Sequence, residues 1–447
     1  MRPAIRLGYS TIIGATILTA GCADNTSRST DEARQEAALA KSRVDARTGP
    51  TTNPSAGQSV TTDAATLQRA NLAVAKAGPA VGRRDVKLTP LALFHGPMPT
   101  CFDFTSDNRL FVNFPRWEKP ANFTVAEVVD GKLVPFPDAQ TNLFEPSNPD
   151  KYDVRKHLVS VQSVVVDAKD RVWLLDTGSI NMQPPLPGAP KMWGFDTKTG
   201  QRAKEITFTG ALKPKTYLND VRFDLTRGRE GYAFVTDSGE GGIIVVDLST
   251  GEAWRKLDGH ASVKADTSLP IQVEGNALKR RPPGTNKESP VEVHSDGIAI
   301  SPDGKTLYYT PLISRSVYAV PTDVLIDRDA DAAPAVRKVA DKPSANDGIV
   351  CDDQGRIYTT DYEDNAIRRI TPGADNSGGR PDVILQDERL LWPDCVIVRN
   401  NRVFVTSNQL HRQGGFNRGA STQQEPFVIF QFPLDANESP KNGARDR

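Results

Sequence analysis

Four cysteines in 447 residues are too few to build a disulfide scaffold, and a chain of this length does not need one. Charge of one sign is lacking too. The 55 Lys and Arg residues balance 55 Asp and Glu, so no basic excess is available to neutralise phosphates, and nucleic acid is excluded as the main partner. No run approaches the roughly 20 apolar residues that a membrane-spanning helix needs. Nucleophile-elbow, phosphate-loop and zinc-ligand spacings are all missing. What is present is an ordinary globular composition, 38% hydrophobic and 25% charged, with ample apolar material for a core.

The N-terminus reads as a targeting segment. Arg2 and Arg6 precede a short apolar stretch over 7–20, and Gly21-Cys22 follows. The ending Leu18-Thr-Ala-Gly-Cys22 resembles a bacterial lipoprotein signal, although Leu18 stands one place further from the cysteine than usual. A plain secretory signal is the alternative. Residues 1–21 are therefore expected to be a signal peptide and Cys22 a lipidation site. The destination is the cell envelope (periplasm or outer membrane, lipid-anchored) or the exterior. Residues 22–84 hold no aromatic side chain and are rich in Ala, Thr, Ser, Arg and Asp. Such a stretch buries too little apolar surface to offset its ordering entropy, so it is expected to be a disordered tether. A polar tail is expected over 437–447.

Residues 85–436 carry a repeat. Ser163-Val-Val-Val-Asp-Ala-Lys-Asp-Arg-Val-Trp-Leu-Leu-Asp176 is two β-rich runs around a polar turn, and the shape recurs over 101–113, 220–237, 297–310, 348–361 and 395–407. Where the turns align on Arg109, Arg171, Lys305, Arg356 and Arg402, most intervals fit the roughly 40–50 residues of a propeller blade plus insertions. Third and fourth β-runs follow most copies, but the sixth lacks its fourth. The run 86–94 supplies it. The expected fold is all-β: a six-bladed β-propeller, closed by an N-terminal strand.

In such a ring the first strand of each blade lines the channel and starts at one mouth. The residues at those starts are Thr100, Gln162, Asn219, Asp296, Asp347 and Asp394. Oxygens converging in this way suit a hard cation, calcium or another divalent ion, with Asn219, Asp296 and Asp347 as the candidate ligands. Asp-Gly at 296–297 and 347–348 is equally ordinary turn chemistry. Loops between second and third strands bring Arg116, Trp117, Asp176, Asp237, Glu240, Tyr362, Asp364, Asn408 and His411 to the same mouth. Insertions over 259–294, which includes His294, and 409–425 would roof it. Trp117 or Tyr362 could stack on a cationic amine. The ligand-binding set is thus Arg116, Trp117, Asn219, Asp237, Asp296, Asp347, Tyr362 and Asp394, with catalytic residues undefined. Cys101 and Cys395 begin inner strands of adjoining blades. Such strands are usually farther apart than the roughly 7 Å between Cα atoms that a disulfide allows, so buried thiols are expected.

Asn108-Arg-Leu-Phe-Val-Asn-Phe-Pro-Arg-Trp117 closely resembles the opening blade of the major royal jelly and insect Yellow proteins. The resemblance continues through Leu174-Leu-Asp-Thr-Gly178, Tyr217-Leu-Asn-Asp220, Phe234-Val-Thr-Asp-Ser238, His294-Ser-Asp-Gly297 and Leu391-Trp-Pro-Asp394, over about 86–434. It implies a secreted six-bladed propeller whose cavity takes a small aromatic or amine ligand, with dopachrome-tautomerase-type activity in some members. A more distant similarity to senescence-marker and gluconolactonase propellers implies a divalent-metal lactonase, but Thr100-Cys101 stand where that family has its glutamate. A third reading is a protein-docking platform of the envelope. The expected partner is a small molecule, with membrane contact only through the lipid and a monomeric state.

Overall fold

The computed structural model describes residues 58–75, 86–119 and 121–434, all within the second (46–447) of the two compact units into which the chain divides. The signal segment, Cys22 and the polar tail lie outside the described residues, as does most of the expected tether.

Six antiparallel sheets form the blades. The second blade is typical: Val161–Val166, Arg171–Asp176, Lys191–Asp196 and Arg202–Ile206 pair in chain order. The innermost strands of the others are Phe102–Phe104, Leu218–Asp224, Ser295–Ile300, Asn346–Cys351 and Pro393–Arg399. Strands two and three are buried on both faces, as in Phe234, Val235, Ile243 and Ile244, because each sheet is sandwiched between its neighbours. Outer strands such as Arg202–Ile206 are largely exposed.

Closure takes the expected form and then exceeds it. Thr89–His95 pairs with Phe427–Pro433 as the fourth strand of the last blade, so that chain start and chain end share one sheet. Ser59–Thr61 then adds a fifth strand against Leu93, Phe94 and His95. The tether expected over 22–84 is thus wrong for residues 58–75. Val60 is buried beside the closing strand, and Asp63 caps a short helix, Ala64–Arg69, through the Thr66 amide. Leu67, Ala70 and Leu72 pack against the last blade as well and Ala75 is buried, so a few apolar residues on an open sheet edge order a stretch whose mean composition argues for disorder.

Cys101 and Cys395 form a disulfide, with Cα atoms 5.0 Å apart. The expectation of free thiols fails because Cys101, just before Phe102–Phe104, and Cys395, near the start of Pro393–Arg399, lie at the channel ends of the first and last blades, where the two come together. Cys351 remains a free thiol, and burial pushes its pKa up to about 12.

Candidate functional site: an aspartate ring in the channel mouth

Five of the six inner strands carry a register shift at their channel end. It falls between Val161 and Ser163, Leu218 and Val221, Ser295 and Ile298, Asn346 and Ile349, and Pro393 and Val396. Each bulge spans a position expected at the mouth, and a bulge re-aims side chains that strict alternation would separate. Thr100, Gln162, Asn219, Asp296, Asp347 and Asp394 accordingly line one cavity, part of it open to solvent.

The two Asp-Gly pairs are not turns. A Cβ on Gly297 would lie 2.4 Å from the Asp347 carbonyl oxygen, and one on Gly348 2.2 Å from that of Asp394. Glycine is required here so that the backbone of one blade can touch the next. Hydroxyls and amides of second strands lock the same junctions. Thr236 donates to the Asp296 carbonyl (2.6 Å), Thr360 to that of Asp394 (2.8 Å), and Asn113 to that of Gln162 (2.8 Å).

Two further charges in the cavity, Asp220 and Arg222, escaped the sequence reading. Alternation along the strand turns Asp220 away from Asn219, and only the bulge brings both to the channel. Asp220 is neutralised by Arg222 at 2.9 Å and also accepts from the Ser163 hydroxyl at 2.7 Å. Asp296, Asp347 and Asp394 have no cation within ion-pair distance among the described residues. Burial raises all three carboxyls, and mutual repulsion adds to the effect; Asp347 is pushed up to about 7. Asp347 and Asp296 act on each other directly, which couples their protonation. The indole N–H of Trp392 donates to the other side of Asp347 at 2.7 Å.

Asn219, Asp296 and Asp347, the residues expected to hold a divalent cation, all line this cavity. Such an ion needs ionised oxygens free to coordinate, and one oxygen of Asp347 already accepts the Trp392 indole N–H. Asn219 faces Gln162 at 3.5 Å and Ser238 at 3.1 Å.

Several loop residues expected at the site serve the fold instead. Arg116 is buried, and all five of its N–H groups go to the carbonyls of Ala121, Asn122, Asn142, Leu158 and Val159. Asp237 accepts from the amides of Tyr217, Gly239 and Glu240, the Thr216 hydroxyl and the Arg255 guanidinium. Tyr362 is fully buried, stacked on Trp392 with ring centres 4.1 Å apart. Trp392 in turn stacks on His411 at 5.7 Å, and His411 meets Glu274 of the 259–294 insertion at 2.7 Å. That stack is part of the roof. His294, also in reach of the mouth, accepts the Ala265 amide and holds the same insertion down. Trp117 is half-buried and donates to the Tyr217 hydroxyl at 3.1 Å, which donates to Gln162 of the ring at 2.8 Å. It borders the channel through Tyr217 rather than lining it.

Residues 159–433 match the profile of the family described as "Major royal jelly protein". The chain belongs to that family. Among curated relatives it is 26% identical to Protein yellow of Drosophila madeirensis over 68% of its own length and 54% of the relative's. It is 28% identical to Protein yellow of Drosophila pseudoobscura pseudoobscura over 49% and 39%. The royal jelly family chain thus spans about half or less of the length of these relatives. Solved structures similar to it include a gluconolactonase from Xanthomonas campestris, at TM-score 0.45 and 14% identity over 82% of this chain and 98% of the other. Another is virginiamycin B lyase from Staphylococcus aureus, at TM-score 0.42 and 14% identity over 78% and 100%.

Proposed function

We propose that this royal jelly family propeller binds a small aromatic amine, with the charged nitrogen among Asp296, Asp347 and Asp394. We further propose that the Asp296–Asp347 pair exchanges a proton with it. The observation that carries this reading is a buried ring of three carboxyls with no counter-cation. A protonated amine would supply the missing charge, and desolvation makes the attraction stronger than in water. A carboxyl that titrates near neutrality can both give and take a proton at physiological pH. Removal of a proton from carbon beside an imine or carbonyl and its return elsewhere on the ligand is an isomerisation. It needs no oxidant, and is chemistry of the tautomerase type. Hydrogen bonding to Trp392 would orient Asp347 for the transfer.

Calorimetry with phenylethylamine should show binding to the parent chain that weakens about tenfold or more in Asp296→Asn and Asp347→Asn, the usual size of a lost charge-assisted contact. Deuterium incorporation from solvent into a tautomerisable aromatic amine should stop in both variants. Unchanged binding in both would remove the ring from the site.

We place the protein outside the cytoplasm, tethered through Cys22. The Cys101–Cys395 bridge supports this reading, because disulfides persist in oxidising compartments. Labelled palmitate should attach in a bacterial host and disappear in Cys22→Ser. An unlabelled parent protein would refute the anchor.

A further inference from the structure

Where the two roof insertions meet, they build a ribbon that carries more positive charge than it neutralises. Lys279–Arg280 pairs with Ser289–Pro290, and Pro282-Pro283-Gly284 lies in the connection between them. The 409–425 insertion backs this ribbon. The Arg281 amide donates to the Gly415 carbonyl at 2.8 Å, and the Arg418 amide donates to the Arg281 carbonyl at 3.0 Å. A Cβ on Gly419, whose φ is +89°, would stand 2.7 Å from the Pro283 Cβ, so the two segments are in close contact.

This frame carries Lys279, Arg280, Arg281, Lys287 and Arg418 against a single carboxylate, Glu288. Lys279, Arg281 and Arg418 all converge on Glu288, at 3.5, 3.0 and 2.7 Å. One carboxylate cannot balance three cations, and the side chains of Lys279 and Arg418 stay about half exposed. Lys287 is exposed beside Glu288 in the chain. Like charges at this range repel, and exposed ion pairs return little, so the contacts with Glu288 do not account for the cluster. Backbone bonds between the insertions hold the cations together in advance, which lowers the ordering cost of meeting an anionic surface. Among the described residues the exposed large hydrophobic side chains are Val74 and Leu143, neither of them on the ribbon. The ribbon therefore lacks the apolar anchor that a protein partner would bury. An anionic bilayer needs only the charge.

We propose that this ribbon docks the propeller on a bilayer of anionic glycerophospholipids, with Lys279, Lys287 and Arg418 against the headgroup phosphates. Ammonium and guanidinium groups both suit phosphate oxygens. The ribbon belongs to the insertion whose Glu274 meets His411, so docking sets the mouth end of the propeller toward the bilayer. The inference is independent of the amine reading. A lipid on Cys22 would act in the same direction, so the test uses the full chain with Cys22→Ser. Flotation with vesicles of equal parts phosphatidylglycerol and phosphatidylcholine should show roughly a hundredfold tighter binding than with phosphatidylcholine alone. Lys279→Gln, Lys287→Gln and Arg418→Gln should each cost roughly fivefold, the usual effect of one basic residue beside an anionic membrane. Combined, they should bring the mixed vesicles down to the level of phosphatidylcholine, as should a tenfold rise in salt. A control triple, Lys169→Gln with Lys198→Gln and Lys305→Gln, removes the same charge from exposed turns at the other end of the blades and should bind as the parent does. All these side chains are exposed, so every variant should melt with the parent. If the ribbon triple binds like the parent, or the control triple loses as much, the ribbon is not the docking surface. If glycerol phosphate at the lipid concentration displaces the protein, the site serves a soluble phosphate and the bilayer reading fails. Tighter binding to polyglutamate than to the mixed vesicles would assign the ribbon to an acidic protein instead.

Discussion

Two sets of buried aspartates surround the same channel mouth, and they are built on opposite principles. Asp176, Asp237 and Asp361 end the second strands of three blades, and each meets a cation from a third or fourth strand of its own blade: Lys191 at 2.8 Å, Arg255 at 2.8 Å and Arg368 at 2.6 Å. Backbone amides take up further lone pairs of Asp176 and Asp237. Asp296, Asp347 and Asp394 stand at the starts of first strands and have no such cation among the described residues. Satisfied aspartates fix loops. Asp347 and Asp394 accept from the neutral donors Trp392 and Asn408 instead, and carboxyls buried without a cation mark the ring rather than the loops as the place for a ligand.

The largest effect should come from breaking the satisfied set. Asp237→Ala leaves Arg255 buried and strands the donors that converge on the carboxylate, so a loss on the order of 3–5 kcal/mol is expected by urea denaturation. The corresponding change in the ring, Asp394→Ala, should cost far less, because it also relieves repulsion. Equal losses at the two positions would erase the distinction drawn here.

Next in size is the bridge that joins the first and last blades at the ring. Cys101→Ser or Cys395→Ser should cost about 2–4 kcal/mol, a typical figure for a disulfide that closes a long loop. Reduction of the parent should reproduce the loss. Thiol titration that finds Cys101 and Cys395 free in the oxidised protein would contradict the bridge.

The ring itself should show in the pH dependence of stability. Asp347 titrates near 7 when folded and near 3.9 when unfolded. Its folded form holds the proton more tightly, so it contributes stability that is fully present below about pH 4 and lost as pH rises through about 7. Asp347→Asn keeps the shape without the charge. It should flatten the fall and stand on the order of 1–2 kcal/mol above the parent at pH 8, with no gain at pH 4. A parent whose stability rises from pH 4 to 8, with a slope that Asp347→Asn leaves intact, would show the carboxyl to be ionised and satisfied.

The legible part of the molecule was the part written in local patterns. Hairpin alternation and turn residues gave the blades, and the start of each first strand named six channel residues, because topology alone places them there. What separates the two aspartate sets was not legible. Lys191 and Arg255 stand one or two strands away from the carboxylates they neutralise, and nothing adjacent to Asp176 or Asp237 announces them. Arg116 sits in the most family-specific string of the chain, yet its partners are carbonyls of the 121–159 segment, invisible as residue types. Asp220 was hidden by a bulge that breaks the parity of its strand. The bridge depended on a 5.0 Å convergence that only the closed ring creates.

The smallest effect concerns another contrast, between the closing strand and the strand added outside it. Thr89–His95 pairs on both sides and buries Ala92, Leu93 and Phe94. Ser59–Thr61 pairs on one side over three residues, Val60 is its one buried side chain, and the helix Ala64–Arg69 has none. A chain that begins at Val86 should therefore be less stable than one that begins at Gln58 by about 2–3 kcal/mol, the value of a buried valine, the partly buried Leu67 and Leu72 and a few edge hydrogen bonds. A chain that begins at Gly96 loses the closing strand and exposes the edge of Phe427–Pro433, so it should fail to fold or should aggregate. If the Val86 start proves as damaging as the Gly96 start, then Ser59–Thr61 belongs to the closure itself. The propeller would then be sealed by five strands in its last blade and not by four.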